Sequence, residues 1–215
     1  IHTLAALALL IGYKTRLATI ITWLLLVSLH NANPLILQGE DVLLRVVLFV
    51  CMFLPLGAVF SLDNRFRGER VSGTVLSGWT IAFLLQDAFL YFFASIYKHS
   101  PEWFGGEAIY YTLSIDTYAT SFGAFLLQFP NFLTFLTYSI LIFQSFALFL
   151  LFSPYFTPYL RTFAAVSLMF MHASLALGMH VGMFSAICIA ALFAFIPSPV
   201  WDVLSSWFKK IIPQS

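Results

Sequence analysis

Residues 91–103 read YFFASIYKHSPEW, a long apolar run that ends on one lysine and a turn. The chain is 61% hydrophobic and 9% charged, where soluble domains carry about 25% charged residues. The run that leads into Lys98 therefore reads as a membrane-spanning helix. An ammonium at such a helix end either snorkels to the headgroups or is held there for a chemical reason. On this reading the fold class is all-α: a polytopic integral membrane helix bundle.

Working back from Lys98, the fourth apolar helix starts at about Thr74, behind the polar, Gly-punctuated linker SLDNRFRGERVSG. Before it lies a third run, Val42 to about Leu62, with Pro55 placed to kink it. A second run, Leu17 to Leu29, closes on HNANP, where Asn33 before Pro34 makes an extended exit. Residues 3–11 are too short to span and lack a basic leader. They read as the remainder of a longer helix, with the domain truncated at its N-terminus, rather than as a signal peptide.

Working forward, residues 98–130 are aromatic but interrupted by polar residues, with Gly105 and Gly106 in tandem. Such a segment lies in the interface or re-enters partway. A fifth helix runs from Pro130 to Phe152, and the turn SPYFTPYLR leads into Phe163–Ile196. That stretch is too long for one straight span at about 1.5 Å per residue, so a break is expected near Gly178–Gly182. At a break the two glycines serve the turn rather than a GxxxG dimer face. The expectation is a single domain over residues 1–215, with five full spans plus partial or broken ones, and interfacial or re-entrant helices after the fourth.

Alternating the loops between the two sides places Lys14, Arg16, Arg65, Arg67, Arg70, Arg161, Lys209 and Lys210 together, eight of the ten basic residues. That side is expected to be cytoplasmic and to hold the C-terminus. Arg45 and Lys98 fall on the other side, with Glu40, Asp41, Glu102, Glu107 and Asp116. They form either a polar site there or simple helix-end pairs, Arg45 with Asp41 and Lys98 with Glu102. Asp87 lies eleven residues before Lys98 on nearly the same helical face, about 16 Å away, and at that depth is protonated or paired. A net charge of +1 leaves no basic face for nucleic acid. Cys51 and Cys188 sit inside apolar runs, where a thiol packs as a small hydrophobe. His172 and His180 are too far apart on one continuous helix to share a metal unless the expected break folds them together, and no metal site is expected. Familiar soluble-enzyme motifs are missing.

Four segments in order, HNANPLILQGEDVLLR, FLPLGAVFSLD, Gln86 to Trp103 and MHASLALGMHVGMF, resemble the horizontally transferred transmembrane (HTTM) domain, which is shared with vitamin K-dependent γ-glutamyl carboxylases. The resemblance runs from about residue 12 to 201. Those carboxylases carry a lysine after a Tyr-Phe-x-Ala run and a tryptophan five residues on, matched here by Lys98 and Trp103. Gln86, five residues before Tyr91, also agrees, and a histidine ten residues before Gly-Met-Phe is matched by His172. A further histidine that the carboxylases use falls at Pro34.

The resemblance implies a lysine that acts as a base on the extracytoplasmic side, towards a vitamin K-like hydroquinone. Lys98 and His172 are the expected catalytic residues. Gln86, Tyr91 and Trp103 are expected to bind cofactor or substrate, with Asn33 and Arg45 bordering the site. The expected partner is the lipid bilayer, and the expected location a bacterial inner membrane. The alternative is a non-catalytic accessory or assembly subunit of a larger respiratory or photosynthetic membrane complex, in which these residues only fix helix ends. A cavity reaching Lys98 would favour the enzyme; a filled bundle with a broad apolar contact would favour the subunit.

Overall fold

The computed structural model describes residues 1–59, 61–67 and 76–211. Its contacts divide the chain into two compact units, Ile1–Phe83 and Leu84–Ser215. Among the described residues the regular structure is helical, with one isolated antiparallel bridge between Ala119 and Met179.

The first unit holds α1 (His2–Ile11), α2 (Thr15–Ala32), α3 (Gly39–Cys51), α4 (Leu62–Arg67) and the first residues of α5 (Gly78–Ile96). Gly12, at φ 71°, ends α1 in a left-handed turn, where a Cβ would sit 2.4 Å from that of Ser61. Only glycine fits that turn at so close an approach. The turn hands the chain to α2, whose first free N–H groups are capped from far along the sequence. The amides of Lys14 and Thr15 each donate to the Asp63 carboxylate at 2.7 Å, and the Thr15 hydroxyl donates to it as well. A carboxylate at a helix N-terminus satisfies orphan donors and meets the positive end of the helix dipole. α2 leaves through Asn33, as HNANP implies.

The third apolar run departs from expectation. It does not continue to Leu62 with a kink at Pro55; α3 stops at Cys51, and residues 52–59 form turns. Cys51 is four residues before Pro55, and the proline ring clashes with the carbonyl four residues back. Tight turns replace the helix, with Leu56 N–H donating to Leu54 and Ala58 N–H to Pro55. The start of the fourth helix at Thr74 lies outside the described residues; the helix is described from Gly78.

The second unit holds the rest of α5, then α6 (Pro101–Phe104), α7 (Ala108–Leu113), α8 (Ser121–Leu126), α9 (Pro130–Leu151), α10 (Thr157–Gly178), α11 (Phe184–Leu192) and α12 (Ser198–Ile211). Its core joins Ala88 and Tyr91 of α5 to Ala147 and Leu151 of α9, Ala164, Ala165 and Leu168 of α10, and Leu192 and Phe195. Alanines at these positions let helix backbones approach closely, which is how helices associate in an apolar solvent. α5, α9 and α10 are long and apolar enough to cross a membrane, so three helices meet that standard among the described residues rather than the five expected. α3 is too short at 13 residues.

The interfacial segment breaks into α6, α7 and α8, none of which could span. Tyr138 of α9 donates to the Phe104 carbonyl at 2.9 Å and ties this segment down. The break after α10 falls where expected. Met179 is extended and Gly182 has φ 54°, so the glycines do serve the turn. The break is held by the 118–123 segment: His180 N–H donates to Tyr118 at 2.7 Å and Thr120 N–H to Gly178 at 3.1 Å.

Gly123 makes that contact possible, because a Cβ there would lie 2.1 Å from the Gly178 carbonyl oxygen. Gly123→Ala is therefore expected to cost about 1–3 kcal/mol, as overpacking does. Gly39→Ala, where a Cβ meets nothing within 4 Å, serves as the neutral comparison. Thermal unfolding in detergent checks the pair, and equal midpoints would contradict the account.

Candidate functional site

α5 is apolar along most of its length, which makes its few polar side chains conspicuous. Tyr91 is 1% exposed, and its hydroxyl lies 3.1 Å from Nε2 of His172 on α10, a hydrogen bond between residues 81 apart in sequence. Their rings meet at 60°, and His172 also packs edge-on against Phe184. Nδ1 of His172 is buried without a partner among the described residues. Two of the expected site residues are thus brought together.

One turn before Tyr91, Asp87 is fully buried, and among the described residues neither its two carboxyl oxygens nor the buried Oε1 of neighbouring Gln86 has a hydrogen-bond partner. The Cys188 thiol of α11 lies against Tyr91 and close to Asp87. A native interior leaves few polar atoms unsatisfied, so such a concentration marks either a ligand position or a group in a special protonation state.

Lys98 follows the last turn of α5. Its ammonium donates to the Ala94 carbonyl at 3.0 Å and lies over the Trp103 ring, 5.1 Å from the centroid. Pro101 starts α6 immediately beyond, after Ser100, and this turn delivers Trp103 to Lys98. Burial pushes the lysine pKa down. Among the described residues Lys98 makes no ion pair, so the Lys98–Glu102 helix-end pair is not formed. Glu102 is fully exposed; a hydrogen bond with the Ser100 hydroxyl, then one with its own backbone, hold its carboxyl below the usual range. Burial lets the Lys98 amine lose its proton more readily than a solvated one, against the pull of the Ala94 carbonyl and the Trp103 face, which favour the ammonium.

Asn33 and Arg45 belong to the first unit. Asn33 is exposed and closes α2. Arg45 is half-buried in α3, and its carbonyl accepts from Trp23 Nε1 at 2.9 Å. The expected Arg45–Asp41 pair is not formed: Asp41 accepts from the Gln38 amide in a capping box and lies 3.5 Å from Nε2 of His30. Among the described residues, no three His, Cys, Asp or Glu side chains converge to hold a metal ion.

A cleft of about 400 Å³ lies beyond Lys98, lined by Pro101, Glu102, Glu107 and Tyr111. The Tyr111 phenol is pushed up by its hydrogen bond with Glu107. In the first unit a cleft of about 560 Å³ has Thr15, Arg16, Asp63 and Trp79 on its walls. Neither is lined by Lys98, Tyr91 or His172.

Of the residues expected from sequence, Lys98 lies against Trp103 and Tyr91 against His172; the place of Cys188 beside Tyr91 was not expected, because an apolar run conceals it. Sequence alone also reads Asp63 as linker, since the amides that it caps at the start of α2 lie far away in sequence.

Three helices that can cross a bilayer, with ionisable side chains buried among them, define an integral membrane protein of multi-pass type. The chain matches the family model of the HTTM domain over residues 1–201, nearly its full length, and belongs to that family. Comparison with curated proteins and with solved structures finds no match.

Proposed function

We propose that this HTTM protein is a quinone-dependent modifying enzyme, similar in chemistry to the γ-glutamyl carboxylases, with Lys98 as its base on the extracytoplasmic side. The observation that carries the proposal is the state of Lys98: partly buried and, among the described residues, without a carboxylate partner. Burial favours the neutral amine, the form able to take a proton.

The residues present fit a hydroquinone. The buried, unpartnered acceptors Gln86 Oε1 and His172 Nδ1 suit its hydroxyl donors, and the aromatic side chains Tyr91 and Trp103 suit its ring. Gln86 and His172 would hold it, and Tyr91 would fix the His172 tautomer through their shared hydrogen bond. When bound, a hydroquinone supplies a centre that reacts with oxygen to give a base stronger than any side chain.

Mass spectrometry of lipids that co-purify in mild detergent tests the proposal. The native protein is expected to carry a quinone, and Lys98→Ala or His172→Ala to carry less of it. The second reading, a non-catalytic accessory subunit, is favoured by one observation: neither cleft is lined by Lys98, Tyr91 or His172. It expects no quinone, two stable variants and a second membrane protein retained in fixed ratio.

A further inference from the structure

Where α3 stops, the turns of residues 52–58 form one wall of the 560 Å³ cleft in the first unit, with Arg16 and Thr19 of α2 on another and Asp63 and Trp79 completing it. Its polar part carries a positive charge that the fold does not use. Asp63 is engaged with the Lys14 and Thr15 amides and the Thr15 hydroxyl. The Arg16 side chain is exposed and makes no hydrogen bond or ion pair among the described residues. Lys14 precedes the same helix start and Arg65 follows Asp63 on α4, while residues 12–19 and 52–67 hold no carboxylate other than Asp63.

An apolar track leads out of the cleft. Phe53 stacks on Trp79 with ring centroids 3.8 Å apart and meets Phe49 edge-on at 5.6 Å, and Phe49 meets Trp23 at 5.5 Å. Phe49, Phe53 and Trp79 are exposed, and Trp23 is pinned by the bond from its Nε1 to the Arg45 carbonyl. Trp23 lies eight residues beyond Thr15 on α2, about 12 Å along its axis. Trp79 stands in the first turn of α5, a helix able to cross a membrane, and so at the level where indoles meet the bilayer surface. A cation at one end and a run of open rings leading away from it match an amphiphile.

We propose that this cleft binds one anionic phospholipid, with its phosphate on Arg16 and an acyl chain along Phe53, Phe49 and Trp23. A guanidinium can pair with two phosphate oxygens at once, which suits it to this task better than a lysine. The surplus of cations selects a headgroup of net negative charge, as basic pockets between membrane helices do. A choline headgroup would bring a further cation towards Arg16, Lys14 and Arg65. Free phosphate would meet Arg16 but gain nothing from the rings, so the track marks the ligand as a lipid. The site lies wholly within the first unit and does not rest on the quinone reading.

Native mass spectrometry of the delipidated full chain in detergent tests this, with dioleoyl phosphatidylglycerol, dioleoyl phosphatidylcholine and inorganic phosphate as probes. The native protein is expected to hold one phosphatidylglycerol more tightly than phosphatidylcholine, and to keep it when inorganic phosphate is added in equal amount. Arg16→Gln is expected to weaken that binding about tenfold, the lower end for hydrogen bonds to a charged group. Phe53→Ala, which opens the apolar track, is expected to weaken it as well. Arg65→Gln removes the same charge outside the cleft walls and is expected to have a much smaller effect. Arg16 and Arg65 are both exposed, so their variants are expected to fold and carry the reading even if Phe53→Ala does not. The proposal is overturned if the two lipids bind equally, if phosphate displaces the lipid, or if Arg16→Gln or folded Phe53→Ala binds as the native protein does. It is overturned too if Arg65→Gln weakens binding as much as Arg16→Gln.

Discussion

Lys98→Arg is expected to lower hydroquinone-dependent oxygen uptake by about 10²- to 10⁴-fold, the usual contribution of a positioned general base. Arginine keeps the charge and much of the length, and its guanidinium stacks well on Trp103, yet it cannot give up a proton at any working pH. The substitution therefore separates base chemistry from packing. Quinone content should survive better in Lys98→Arg than in Lys98→Ala. The pH dependence has a definite sign. Burial lowers the Lys98 pKa, so native activity is expected to rise with pH through that lowered value and to level off above it. Stability has the same sign: the cost of burying the ammonium is full below the lowered pKa and is relieved as pH rises towards the unfolded value of about 10.4. An arginine variant that retains activity would remove Lys98 from the mechanism.

Asp63→Ala is expected to destabilise the first unit by about 3 kcal/mol, from the range for hydrogen bonds to charged groups. It removes the acceptor for the Lys14 and Thr15 amides and the Thr15 hydroxyl at the start of α2. Asp63→Asn keeps an acceptor but loses the charge at the helix dipole, and should cost less, about 1 kcal/mol. Hydrogen exchange locates the effect: amides in the first turns of α2 should lose protection while those of α9 and α10 keep theirs. Uniform loss of protection, or none, would contradict this role for Asp63.

The helices that were legible in the sequence are those whose ends carry local chemistry. Pro130 starts α9, and the predicted end at Phe152 is one residue past Leu151. α10 begins at Thr157, earlier than the apolar run suggests, because the proline in SPYFTPYLR sits in its first turn, where a missing N–H costs nothing. The third run misled for a related reason: Pro55 removes the helix four residues upstream instead of bending it. At the site, Lys98 and Trp103 are close in sequence, and one short turn brings them together. Tyr91 and His172 were each singled out, but their hydrogen bond depends on how α5 packs against α10, which no local pattern records. Asp63 was missed for the same reason, since its partners lie 48 and 49 residues away.

The central claim is that Lys98 is a desolvated amine without a counter-ion. The chain has four lysines, Lys14, Lys98, Lys209 and Lys210, so reductive ¹³C-methylation followed by NMR titration in detergent can resolve them, with Lys98→Arg assigning the signal of interest. The account predicts that the Lys98 signal titrates below the other three. Four amines that titrate together, with Lys98 at the ordinary lysine value, would contradict it.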